Sequence, residues 1–164
     1  MTFSDCKWGL IFFMIMNITE VQASDNSPDI ECKMSITSPQ ALDKGIWLSF
    51  SVQNNRDNNI ELLSWYTPFE GFLSNLFKIT NDVGVLLNYQ GMMVKRLSPE
   101  ASEFLLIPAH TKHEIQIELS KGYRFSQGKF SIELMHRRIR YKNSSEKLDE
   151  FICSPNPLTV YIED

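Results

Sequence analysis

From Ile30 onward, apolar and polar residues alternate with a period of two. Cys32, Met34 and Ile36 alternate with Lys33, Ser35 and Thr37, and Ile46, Leu48, Phe50 and Val52 with Trp47, Ser49, Ser51 and Gln53. Ile115, Ile117 and Leu119 alternate with Glu114, Gln116, Glu118 and Ser120, and Phe130, Ile132 and Leu134 with Lys129, Ser131 and Glu133. Successive side chains of a strand point to opposite faces, so each run predicts a strand with one core face and one wet face. Half-buried strands of this kind favour antiparallel sheets packed face to face over parallel sheets covered on both sides.

Turn-formers punctuate the runs: Ser38-Pro39, the polar stretch 54–59, Asn81-Asp82-Val83-Gly84, Ser98-Pro99, Pro108-Ala109 and Gln127-Gly128. Shorter strands are expected over 61–65, 76–80, 85–88, 92–96, 103–107 and 158–161. Stretch 54–59 is expected to join two neighbouring strands at one end of the sandwich. Helical candidates are short, at 39–44 and 71–75. The predicted fold is all-β, an immunoglobulin-like antiparallel β-sandwich of about seven to nine strands. A small barrel is the alternative. No internal repeat is visible.

The first stretch follows a different rule. Lys7 precedes an apolar run from Trp8 to Ile18, too short to cross a bilayer as a helix, and Val21-Gln22-Ala23 follows. This fits a secretory signal peptide over 1–23, leaving one domain over 24–164 and a secreted or periplasmic location, with no membrane anchor after cleavage. The competing reading is a buried or anchoring N-terminal helix. Cleavage removes Lys7, Asp5 and Glu20 from the 16 basic and 20 acidic side chains, so the net charge moves from -4 only to -3. An acidic balance gives no general electrostatic basis for binding nucleic acid or an anionic membrane.

Of the three cysteines, Cys6 lies within the signal. Cys32 and Cys153 remain, an even count that in an exported chain predicts one disulfide tying the first strand to the C-terminal region. Two thiols with no Cys-x-x-Cys and no nearby His do not make a metal site. His110 and His113 would lie on opposite faces of a strand. The metalloprotease signature His-Glu-x-x-His, the nucleophile elbow Gly-x-Ser-x-Gly and a phosphate-cradling Gly-rich loop are all absent from the sequence. No catalytic residue, metal or cofactor is therefore assigned. Residues 136–147 form the one basic concentration, read as a solvated strand end plus a loop, or else as a patch for an acidic partner. Asn143-Ser144-Ser145 matches a glycosylation acceptor, relevant only in a host with that machinery.

The most distinctive stretch is Ser64 to Leu73, with four aromatics, a proline and a glycine in ten residues. Trp65, Tyr66, Pro68, Phe69 and Phe72 are the candidate partner-binding residues, because aromatic anchors bury large area at modest entropic cost. The other reading of the same loop is a plug over one end of the core. Met92-Met93 after Gly91 could add to either.

Several pieces taken in order carry a resemblance: Thr67-Pro68-Phe69-Glu70-Gly71, Leu76-Phe77-Lys78-Ile79-Thr80, Gly84, Tyr89-Gln90-Gly91, Val94-Lys95-Arg96, a proline-bounded turn, Leu119-Ser120, Tyr123-Arg124-Phe125 and Gly128. Over about residues 34–134 the chain resembles the non-catalytic N-terminal β-sandwich domain of deuterolysin-like peptidyl-Lys metalloendopeptidases. In those enzymes a separate zinc-bearing catalytic domain follows the sandwich. With no zinc motif in the sequence and no room for that domain in 164 residues, the expectation from the resemblance is fold and export, not peptidase activity. The leading expectation is a secreted, non-enzymatic protein-binding module whose partner is another protein, such as a peptidase it inhibits or assists. The alternatives are a small exported hydrolase with a site built from dispersed carboxylates and histidines, and a structural or adhesion subunit.

Overall fold

The computed structural model describes residues 28–143 and 145–164. The expected signal peptide lies outside them. Among the described residues eleven strands form: β1 (Ile30–Ile36), β2 (Gln40–Ala41), β3 (Trp47–Asn54), β4 (Ile60–Leu63), β5 (Phe77–Asn81), β6 (Phe104–Ile107), β7 (Lys112–Glu118), β8 (Gly128–Leu134), β9 (Arg138–Lys142), β10 (Leu148–Ile152) and β11 (Leu158–Glu163). They make three sheets, in the orders β1-β3-β7, β10-β9-β4-β6 and β2-β11-β8-β5. Every pairing is antiparallel except the short β2–β11 pair.

The alternation in the sequence explains why the sheets close on one core. Leu48, Phe50 and Val52 on β3 are fully buried, as are Ile79 on β5, Ile132 on β8 and Val160 on β11. Ile60, Leu62, Ile107 and Ile139 bring the second sheet into the same cluster. The result is a β-sandwich, as expected, with more strands than the seven to nine read from the sequence.

Four local expectations are corrected. Stretches 85–88 and 92–96 are not strands; only an isolated bridge, Thr80 to Leu86, forms there. Val85, Met92 and Met93 stand exposed; 85–87 meets β5 only through Asn81 N–H to the Val85 carbonyl (3.0 Å) and Leu87 N–H to the Ile79 carbonyl (2.8 Å), too few bonds for a strand. The helix expected at 71–75 does not form; a 3₁₀ turn lies instead at Pro68–Glu70, with Pro68 at its start and Thr67 capping Phe69 N–H. At 39–44 the helical part shrinks to a 3₁₀ turn, Leu42–Lys44, after β2. In the basic stretch 136–147, Arg138–Lys142 is a full strand, β9, rather than a strand end, and it forms a hairpin with β10 beyond the stretch.

Stretch 54–59 does not join neighbouring strands. It crosses from β3 in the first sheet to β4 in the second. Fully buried Asn54 holds the crossing. Its amide nitrogen donates toward the carbonyls of Asn58 (2.9 Å), Ile107 (3.2 Å) and Pro108 (3.1 Å), and its oxygen accepts from Arg56 N–H (3.1 Å). A buried amide is tolerated because its donors and its acceptor are all used.

Cys32 on β1 and Cys153, directly after β10, are bonded, with Cα atoms 5.5 Å apart. The bond joins the first sheet to the second, and Cys153 is fully buried.

Tyr123 is a second internal tie. Its hydroxyl accepts from Phe77 N–H (2.9 Å) and donates to Asn75 Oδ1 (2.6 Å). Burial pushes its pKa well above the ordinary tyrosine value. Tyr123→Phe leaves the buried Phe77 N–H unpaired and is expected to cost about 1–3 kcal/mol by denaturant unfolding. The unfolded chain ionises near the ordinary value while the folded one holds its proton, so Tyr123 makes stability fall as pH rises above about 10. Tyr123→Phe should flatten that alkaline loss; an unchanged slope would assign it to another group.

Candidate functional site

A groove of about 640 Å³ runs along β7. One wall is Ile115, Gln116, Ile117 and Glu118 of β7, with Trp47 and Lys121 at its margins. The other wall is the aromatic loop, through Pro68, Gly71, Phe72 and Leu73, together with Gln90, Gly91 and Met92. Tyr89 holds this second wall together. Its hydroxyl lies 3.0 Å from the Phe72 carbonyl and 2.8 Å from the Met92 carbonyl, to either of which it can donate. Gly91 makes room for this arrangement: a Cβ there would run into the hydroxyl end of Tyr89, which would have to shift. The ring itself packs on Phe72 and Tyr123.

The loop is set against the body by charge as well as by packing. Glu70 forms an ion pair with Arg96 Nη2, and both side chains are largely buried. Arg96 Nη1 also reaches Glu103 Oε1 at 3.5 Å, and its guanidinium lies 5.1 Å from the Trp65 ring centre. Trp65 Nε1 donates to the same Glu103 oxygen at 2.6 Å. Burial raises the Glu70 pKa, although Tyr66 N–H and Arg96 both favour its ionised form. Glu103 is shifted the other way, chiefly because its carboxylate accepts from Glu100 N–H, with Trp65 and Arg96 adding to the effect.

The five candidate residues therefore separate. Pro68 and Phe72 line the groove. Trp65 is 7% exposed, under Arg96 and Arg140. Phe69 packs edge-on to Phe50 at 5.2 Å and against His113. Tyr66, with a backbone φ of 59°, is exposed and stacks on His136. The loop thus contributes both to the core and to the groove. The histidines are dispersed: His110 faces Asp57, His113 lies on β7 and His136 meets the Asn75 carbonyl. Among the described residues no group of three or more His, Cys, Asp and Glu is placed to hold a metal. No helix among them is long and apolar enough to cross a membrane.

Ile115 and Ile117 show in the sequence only as core positions. Nothing in it marks them as a groove wall, because that depends on β7 ending its sheet. Met92 carried a signal, as an apolar residue in a stretch that proves to have no strand partner.

No family model matches the chain. It is 25% identical over 118 residues to an extracellular protease of Aeromonas hydrophila, an alignment covering 71% of this chain and 34% of that protein. The chain thus spans about a third of the length of the curated relative it matches. Among solved structures, structural-genomics target SoR45 overlaps with a TM-score of 0.39 and 15% identity, covering 80% of this chain and 84% of that one. A mutant β-glucosidase from Listeria innocua overlaps with a TM-score of 0.29 and 16% identity, covering 77% of this chain and 16% of that one. Neither overlap is close enough to bear on function. The chain is an all-β, disulfide-linked module with a distant relative among the proteases.

Proposed function

We propose that this chain is a non-catalytic, protein-binding β-sandwich module of an exported proteolytic system. In this reading it is immunoglobulin-like and secreted or periplasmic, with residues 1–23 as its export signal and 24–164 as a single domain. The observation that carries the proposal is the alignment of 118 residues of this all-β chain with about a third of an extracellular protease. That is the relation expected of an accessory domain, and the likeness to the sandwich domain of deuterolysin-like metalloendopeptidases gives it the same form. The partner is a peptidase or its protein substrate, engaged at the groove that Pro68 and Phe72 line.

The test is to mix the purified protein with each peptidase exported by its source. Complex formation is followed by size-exclusion chromatography and residual activity on a protein substrate. A one-to-one complex, with activity changed in either direction, is the expected result. The proposal fails if no peptidase or substrate protein is bound and the purified domain itself cleaves protein.

A further inference from the structure

β7 is the last strand of its sheet, so one side of it has no strand neighbour among the described residues. The direction of each of its backbone groups follows from the bonds that flank it. Asn54 N–H donates to the Thr111 carbonyl (2.9 Å), and Leu119 N–H donates to the Ile46 carbonyl (2.6 Å). In an antiparallel pair, backbone groups alternate between the two sides of a strand. His113, Ile115 and Ile117 therefore spend theirs on β3, opposite Val52, Phe50 and Leu48. The N–H and C=O groups of Lys112, Glu114, Gln116 and Glu118 point to the open side. Among the described residues no backbone bond takes them up.

The groove lies beside the last four residues of the strand, Ile115 to Glu118, so there the unpaired backbone of Gln116 and Glu118 and apolar side chains meet along one line. Charge narrows what can fit. Lys112 pairs with Glu114 (2.6 Å) and Lys121 with Glu118 (3.0 Å), so the edge neutralises itself and offers no net charge to a partner. Edge strands carry such charges as a guard against indiscriminate pairing. A second copy of this chain fits poorly. Its own Ile117 is only 6% exposed, and its Leu119 is fully buried, so its β7 has little free apolar surface for the groove.

We propose that β7 accepts an extended, uncharged peptide segment of the partner protein as an added strand. Its backbone pairs with the outward groups of Glu114, Gln116 and Glu118, and its alternate apolar side chains enter the groove against Pro68, Phe72 and Ile117. The edge from Lys112 to Glu118 is about 20 Å long, enough for a segment of about seven residues. Main-chain pairing supplies affinity in this mode and the alternate pockets supply selectivity. The proposal rests on the protein-binding reading above and names how the partner is held.

The probe is a capped, fluorescent seven-residue peptide of alternating threonine and valine, with a control N-methylated at every second residue. Binding is read by anisotropy, and amide hydrogen exchange locates it on the protein. Gln116→Pro removes one outward N–H and leaves the β3 pairing intact, a replacement that edge strands accept. The expected result is added protection at the amides of Glu114, Gln116 and Glu118. Binding of the N-methylated control, and of the parent peptide to Gln116→Pro, should be weaker by roughly tenfold or more. If Gln116→Pro does not fold, the control peptide and the exchange pattern decide alone. Equal binding of both peptides, protection elsewhere, no binding, or a dimer that Gln116→Pro dissolves would each overturn the proposal. A peptidase complex that the peptide does not displace would overturn this mode and leave the binding-module reading standing.

Discussion

Replacing Cys32 and Cys153 together by alanine is expected to lower stability by about 4–5 kcal/mol, measured by guanidinium unfolding under non-reducing conditions. The bond spans 121 residues of sequence, nearly the whole described domain. Closing so long a loop removes a large share of the unfolded chain's freedom. A loss of that size is a substantial part of the roughly 5–15 kcal/mol that holds an ordinary domain together. The bond also bridges two sheets, so without it β1 stays paired with β3 but is held to the segment after β10 mainly by packing. Intact mass should rise by about 2 Da on reduction, one hydrogen for each thiol. Equal masses would show that the thiols are free. A stability loss under about 1 kcal/mol would mean that the unfolded chain already holds its ends together without the bond.

Arg96→Met is the second large effect, with an expected cost of about 3–5 kcal/mol near neutral pH. Arg96 fills the space between Glu70 and Glu103 beneath the aromatic loop. Removing it strands the Glu70 carboxylate in a buried position, where burial already raises its pKa. The pair itself contributes much less than this cost, because its two charges also lose hydration on burial. Glu70→Leu combined with Arg96→Met should therefore recover most of the lost stability. The pH dependence has a definite sign. A carboxyl whose folded pKa lies above its unfolded one makes stability fall as pH rises through that window. Arg96→Met should accordingly be closer to wild type at mildly acidic pH than at pH 7, since protonated Glu70 carries no stranded charge. A deficit that grows on acidification would point away from Glu70. The double variant isolates the coupling, and an additive outcome would show that the two side chains act separately.

How legible the fold is depends on whether alternation meets a partner strand. β3 and β8 stand out because three inward apolar residues alternate with polar ones, and all are buried as expected. Stretches 85–88 and 92–96 carry the same β-forming residues, yet the first touches β5 only through a single bridge and no strand pairs with the second. The β9–β10 hairpin was hidden for the opposite reason. Arg138, Arg140 and Lys142 alternate with buried Ile139 and Tyr141, but the charges dominate the pattern. Two of those side chains then lie over aromatic faces, Arg140 on Trp65 and Lys142 at 4.3 Å from the Phe104 ring centre, while Arg138 pairs with Glu150. Long basic stems can cover apolar surface while their heads stay wet, which a binary pattern does not register.

The candidate site was legible only in part. The density of aromatics marked 64–73, but the same composition serves a core plug and a contact surface, and the loop does both. The groove also needs β7 to be an edge and Tyr89 to hold Met92 against Phe72, facts of topology that no local spacing contains. The Glu70–Arg96–Glu103 cluster joins residues separated by 26 and 7 positions, with no helical or strand period linking them.

The most direct test of the proposed role is site-specific photo-crosslinking to the peptidases of the same source. Benzoylphenylalanine is placed in turn at Met92, on the groove wall, and at Tyr161, on β11 and outside the groove; both positions are exposed. The expected result is a crosslinked peptidase or substrate protein from Met92, competed away by unlabelled protein, and none from Tyr161. Crosslinking from Tyr161 alone, or from neither position while the complex forms, would contradict a partner seated along β7.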